Sequence, residues 1–222
     1  MNNSTLQYYN QNAEGFAAGT ISVDFKANQD RFLASLEGVV GEDNATSSND
    51  DISRLREGLS SRDRALKILD FGCGSGRDTK YFLDRGYSVT ATDGSEELCR
   101  IASEYTGIQV QQMLFSELSA VSEYDGIWAC SSILHLLKNE LKDVLRKMLI
   151  ALKPHGIIYT SFKYGEFEGE RNGRYFTDFT EESFAEFVKD IDGLQITAQW
   201  ITGDVRAGRS EEKWLNLLLR KK

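Results

Sequence analysis

The residues best suited to chemistry lie in one run, Asp70-Phe-Gly-Cys-Gly-Ser-Gly76, and in Asp93 further along the chain. Glycines at three alternate positions let a backbone turn tightly and approach a ligand with no Cβ in the way. An acidic residue closing the next strand accepts hydrogen bonds from two ribose hydroxyls. Together the two features read as a nucleoside site. The spacing is G-x-G-x-G, not the G-x-G-x-x-G that aims a helix N-terminus at a pyrophosphate. Asp70 stands at the mouth of the turn, where a carboxylate repels a pyrophosphate and attracts an ammonium group. The pattern therefore favours S-adenosylmethionine over NAD as cofactor.

Such a site needs strands whose carboxyl ends converge. Leu66–Phe71, Tyr87–Thr92, Ile108–Met113, Tyr124–Ala129 and Gly156–Phe162 read as strands, and Leu194–Ile201 and Trp214–Leu219 as two closing ones. Between them, Arg77–Arg85, Glu96–Tyr105, Asn139–Leu152 and Thr180–Asp190 read as helices. In the third of these, Leu141, Val144, Leu145, Met148, Leu149 and Leu152 form one apolar stripe, and Pro154 with Gly156 ends it. Strands alternating with helices predict an α/β fold, a doubly wound, mostly parallel seven-stranded sheet that binds ligands past its strand ends. Residues 1–64 read as a helical cap, with a helix over Asn28–Val40, a mobile loop at Gly41–Asp51 and a further helix through Ile52, Leu55 and Leu59. Residues 65–222 form the cofactor-binding core of a single domain, interrupted by a polar, glycine-rich insertion at 163–179.

Composition narrows the partners. The 222 residues carry 26 Lys+Arg against 34 Asp+Glu, a net charge of −8. That balance repels phosphate backbones and anionic lipid, so it disfavours nucleic acid and membrane surfaces. No apolar run reaches the roughly 20 residues of a membrane span. The start, MNNSTLQYYN, lacks the basic and apolar segments of a signal peptide, so a cytoplasmic protein is expected, as a monomer or homodimer. Cys73, Cys99 and Cys130 are scattered, and His135 and His155 are not at ligand spacing, so no metal site is expected.

With these residues in place, a resemblance emerges. ILDFGCGSG resembles the first motif of class I S-adenosylmethionine-dependent methyltransferases, and VTATDGS the acidic loop that follows it. YDGIWACSSILHL resembles their fourth-strand motif, and LKPHGIIYTSF the turn and fifth strand. YYNQNAEGFAAGT is similar to a segment lying over the cofactor in small bacterial members, among them relatives of tellurite-resistance and quinone-biosynthesis enzymes. The similarity runs from about Tyr8 to Arg220; one departure is His155, where the family usually has glycine. The resemblance implies a Rossmann-like methyltransferase fold and S-adenosyl-L-methionine as cofactor. It implies that Asp70 and Gly72 hold the methionine end, that Gly74 and Gly76 allow close helix packing, and that Asp93 binds ribose. Gly94 and Ser95 would lie beside the adenosine, Met113, Leu114 and Phe115 beside the adenine, Ala129 and Cys130 beside the sulfonium. Tyr9 would lie over the cofactor.

The acceptor is less defined. A base is needed only for a nucleophile that starts protonated, and His135, just past the fourth strand, is best placed for it. Ser131 and Ser132 either orient the acceptor or cap a helix. There is no NPPY-like run and no Pro-Cys pair. A small-molecule acceptor is expected, held between the cap and the insertion by Arg171, Arg174 and Tyr175, since an arginine beside aromatics suits a planar anion. Asp204, Arg206, Arg209 and Trp214 follow near the C-terminus. Two alternatives stay open: a tRNA wobble-base methyltransferase, and a non-catalytic regulatory protein that binds the same nucleoside.

Overall fold

The structure is a computed structural model that describes residues 3–38, 65–206, 208–209 and 211–222. The loop expected at Gly41–Asp51 and the helix expected through Ile52–Leu59 lie outside the described residues. The chain opens with helices α1 (Asn3–Gln11), α2 (Ala13–Ala18) and α3 (Lys26–Leu36). Strand β1 (Lys67–Phe71), helix α4 (Arg77–Leu83), β2 (Ser88–Asp93), α5 (Glu96–Thr106) and a two-residue β3 (Gln111–Gln112) follow. Next come β4 (Tyr124–Ala129), α6 (Lys138–Ala151) and β5 (Leu152–Lys163). The chain then forms β6 (Glu168–Arg171), β7 (Arg174–Thr177), α7 (Glu181–Val188), β8 (Leu194–Gly203) and β9 (Lys213–Lys221).

The main sheet has seven strands in the order β3-β2-β1-β4-β5-β9-β8. The first five run parallel, whereas β9 is antiparallel to β5 and β8 antiparallel to β9. The chain steps outward from β1 to β3 and then returns to β1's other side as β4. That reversal leaves a crevice at the carboxyl ends of β1 and β4, where open α/β sheets take their ligands. Among the described residues, no helix is long and apolar enough to cross a membrane.

Alternation along β4 divides the core. Ile127 faces a layer with Leu141, Val144, Met148, Phe162 and Phe184, contributed by α6, β5 and α7. Trp128 faces the opposite layer, with Phe32 of α3, Phe82 of α4 and Tyr159 of β5. Its ring stacks on Tyr159 with centroids 3.9 Å apart and planes 13° apart. Helix α3 reaches the sheet because β4 carries Gly126, where a Cβ would sit 2.7 Å from Phe32 Cζ. The first helical segments are thus seated on the core.

Two local features show how turns are built. Helix α7 starts in a reciprocal cap: Ser183 N–H donates to Thr180 Oγ1 at 3.2 Å, and Thr180 N–H donates to Ser183 Oγ at 2.9 Å. Serine thus fills the place usually held by Glu or Gln. His155 takes φ = 63°, the left-handed conformation that glycine adopts freely. The polar, glycine-rich insertion forms a hairpin in which Glu168 pairs Thr177 and Arg171 pairs Arg174.

Candidate cofactor and acceptor site

The turn after β1 is held from behind by β2. The N–H groups of Gly72 and Cys73 both donate to Thr92 O at 2.9 Å. Gly72 has φ = +84°, and a Cβ on it would lie 2.5 Å from Ser132 Cβ, which belongs to the loop after β4. Ser132 Oγ in turn donates to Phe71 O at 2.7 Å. The two loops that flank the crevice are therefore locked at a separation only glycine permits. Gly76 caps α4 with φ = 81°, against Thr106 and Ala102 of α5.

Asp93 joins the turn to the second strand. Its Oδ2 accepts from Gly74 N–H and its Oδ1 from Ser95 N–H, each at 2.9 Å. Burial raises its pKa, while these backbone donors oppose the rise. A carboxylate accepts about four hydrogen bonds, so two backbone donors leave capacity for ribose hydroxyls. Beside it, Gly94 is flanked by Leu6 of α1 and Leu114, whose methyls a Cβ there would meet at 2.8 and 3.4 Å. A bare backbone, an acidic acceptor and apolar flanks fit a nucleoside.

The residues expected at the site separate into two groups. Tyr9, Gly72, Gly74, Asp93, Gly94, Phe115, Cys130, His135 and Arg174 line one cleft. Asp70 does not reach its wall. It is 2% exposed and accepts from Thr79 Oγ1, and burial, reinforced by Asp78, pushes its carboxyl up to about 8. Ser95 caps α5 and donates to Asn10 Oδ1 of α1 at 2.7 Å. Ala129 is fully buried, and Gly76, Met113 and Leu114 lie behind or beside the cleft. Arg171 turns away to pair with Asp178 and cover Phe167. Tyr175 points its hydroxyl at Glu168, 3.0 Å away, so only its backbone serves the site.

Other lining residues carried weaker sequence signals. Arg77, in the first turn of α4, forks onto Asp78 at 2.8 and 2.9 Å and packs over Phe25. Asp78 also accepts from Gln29 at 2.6 Å and Trp128 Nε1 at 2.9 Å, which fixes the arginine. Phe16 of α2 covers Gly74. At the far lobe, Lys163 ends β5 with its ammonium 4.3 Å from the Trp214 ring centre, pairing with Glu212 and with Asp204 at 3.7 Å. Burial pushes that amine down to about 8. No group of His, Cys, Asp and Glu able to hold a metal occurs among the described residues.

Between the two lobes sits His135. Its Nδ1 lies 2.6 Å from Tyr175 O, which only accepts, so that nitrogen carries the proton. Nε2 is then the acceptor for the Tyr9 hydroxyl at 2.8 Å. Burial pushes the ring down to about 4, with the nearby Arg174 charge adding to the effect. This folded value lies below the ordinary 6.5, so the stability it contributes is complete above 6.5 and is lost as pH falls toward about 4. A His135→Gln variant should lose less of its melting temperature than the wild type across that window. Parallel acid-melting curves would contradict this assignment.

Comparison with known proteins agrees with this geometry. Residues 68–156 match the methyltransferase domain family. The chain is 26% identical over 136 residues to an uncharacterised methyltransferase of Staphylococcus carnosus, covering 58% of this chain and 66% of that protein. It is 28% identical over 137 residues to YqeM of Bacillus subtilis, named as a methyltransferase, covering 56% and 51%. The chain therefore spans between half and two thirds of the length of these curated relatives. Among solved structures, 1,6-didemethyltoxoflavin-N1-methyltransferase of Burkholderia thailandensis shares the fold, with a TM-score of 0.59, 22% identity and coverage of 82% and 93%. Residues 68–156 thus match a methyltransferase domain, and the strand order and the glycine turn with its acidic partner are similar to those of the class I S-adenosylmethionine-dependent methyltransferases.

Proposed function

We propose that this chain transfers a methyl group from S-adenosylmethionine to a small molecule held in the far lobe of the cleft. One observation carries the reading. A single cleft runs from the glycine turn and Asp93, past Ser131 and His135, to Lys163, Arg174 and Trp214. The nucleoside end and the far lobe are therefore open to each other, as transfer between two bound molecules requires. The Burkholderia neighbour, whose structure holds both S-adenosylhomocysteine and 1,6-didemethyltoxoflavin, supports that division.

The cofactor supplies a methyl group already activated on a positively charged sulfur. What the protein must add is alignment, which by itself lowers such barriers by several kcal/mol. The Gly72–Ser132 contact fixes the two loops that bound the transfer point. Ser131 is held to β5, its N–H donating to Ser161 Oγ at 2.9 Å. The Tyr9 hydroxyl donates a hydrogen bond to His135 and accepts a long one from Arg174, so one lone pair remains to accept from an N–H or O–H of the nucleophile. Kept neutral by burial, His135 holds Tyr9 in place through the hydrogen bond between them. Helices α1 and α2 line one side of the cleft through Tyr9 and Phe16, which limits the access of water to it.

Incubating the purified protein with methyl-labelled S-adenosylmethionine and a small-metabolite extract tests this. The reading predicts label in a product below about 1 kDa, dependent on an intact Asp93. Label confined to tRNA, or S-adenosylmethionine binding with no transfer to any pool, would overturn it.

A further inference from the structure

Three arginines gather where the far lobe opens between α1, the hairpin and the β8–β9 connection. Two of them are already neutralised. Arg206 forks onto Asp204, and Arg209 Nε lies 2.5 Å from Glu212 Oε1. Arg174 differs: among the described residues it makes no ion pair. Its Nε is buried and has no hydrogen-bond partner among the described residues. Among the described residues its Nη1 reaches only the Tyr9 hydroxyl, at 3.5 Å. Its guanidinium carbon lies 4.5 Å from the Tyr8 ring centre, 5.2 Å from that of Phe176 and 5.9 Å from that of Tyr9.

Aromatic faces attract a cation but accept no conventional hydrogen bonds from its edge. A partly buried guanidinium with an unused donor is costly until an oxyanion meets it. Arginine presents its N–H groups as a planar fork that matches a carboxylate. In a chain of net charge −8, this free cation makes a local positive spot at the cleft entrance that draws anions inward. Phe176 and Trp214 also line the cleft nearby, which gives the fork aromatic surroundings suited to a flat molecule.

We propose that Arg174 anchors an oxyanion subsite and that the methyl acceptor is a flat molecule bearing a carboxylate, seated on that fork. The inference rests on the cleft being a methyl-transfer site, and it adds the chemical class of the acceptor. It places the acceptor's anionic edge beside Tyr9, so the nucleophile and the carboxylate share one end of the molecule.

Saturation-transfer NMR with benzoate and benzamide, two flat probes that differ in charge, tests it. S-adenosylhomocysteine is titrated first, without a probe. The proposal predicts that benzoate binds the S-adenosylhomocysteine complex and that benzamide binds at least tenfold more weakly. It predicts that Arg174→Met weakens benzoate by about 10- to 100-fold, the loss expected for charge-assisted hydrogen bonds, and that S-adenosylhomocysteine affinity stays within about twofold. Arg174→Lys, which keeps the charge and loses the fork, should fall between wild type and Met, and it serves if the Met variant does not fold. Equal binding of the two probes, no binding of benzoate, or unchanged benzoate affinity in both variants would overturn it. So would a loss confined to S-adenosylhomocysteine, which would assign Arg174 to the cofactor. Failure of the first titration sinks the methyl-transfer reading instead, and benzoate binding through Arg174 would survive that result.

Discussion

Replacing Asp93 by alanine is expected to weaken binding of S-adenosylmethionine and S-adenosylhomocysteine by about 10- to 100-fold, the equivalent of about 1.5–3 kcal/mol for hydrogen bonds to a charged acceptor. The loss has two sources. The carboxylate holds Gly74 and Ser95 by their backbone N–H groups at 2.9 Å, so it shapes the turn before any ligand arrives. Its remaining lone pairs would hold the ribose. Asp93→Asn keeps the size and one acceptor, so it should lose less than alanine. Titration calorimetry on the three proteins separates these contributions. Equal affinity in all three would remove Asp93 from the site.

Replacing Gly72 by alanine should do still more. The new methyl would lie 2.5 Å from Ser132 Cβ and 3.1 Å from Phe115 Cζ, on a residue with φ = +84°. Overpacking costs about 1–3 kcal/mol and the left-handed backbone about 1–2 more. In a chain of this size each kcal/mol moves the melting temperature by about 2–4 °C, so a fall of roughly 5–15 °C is expected. The variant must also push the loop after β4 away from the turn, which separates the nucleoside site from Ser131 and His135. Cofactor binding should therefore fall along with stability. Gly86, where a Cβ would meet nothing within 4 Å, provides the control. Its φ of +85° imposes the same backbone strain without the clash, so Gly86→Ala should lower the melting temperature without touching cofactor affinity. Similar losses of affinity in both variants would show that the Gly72 contact is not what fixes the site.

The sheet was legible where burial leaves a continuous apolar run. KILDF of β1 and GIIYTSF of β5 are flanked on both faces, and helix α6 shows its stripe because only one side is buried. The strands and register of the hairpin were not legible, because EGER has no apolar alternation and its pairing comes from its partner, RYFT. Nor were the limits of β3, which shortens to two residues at the sheet edge. The His155 turn shows the converse: a residue poorly suited to φ = 63° keeps the place because β5 pairing resumes immediately after it.

The glycine turn and Asp93 could be read from types and spacing, since local backbone geometry demands them. Side-chain directions could not. Arg171 and Arg174 are close in sequence and pair across the hairpin, yet one closes on Asp178 and the other enters the cleft. Asp70 stands at the mouth of the turn in sequence but faces Thr79 in space. The Tyr9–His135 hydrogen bond spans residues 126 positions apart and leaves no trace in either local pattern.

A crystal structure with S-adenosylhomocysteine tests the central claim most directly. The account predicts both ribose hydroxyls within hydrogen-bond distance of the Asp93 carboxylate, and the sulfur facing the lobe bounded by Ser131, His135 and Arg174. A nucleoside bound elsewhere, or one whose sulfur faces away from that lobe, would contradict it.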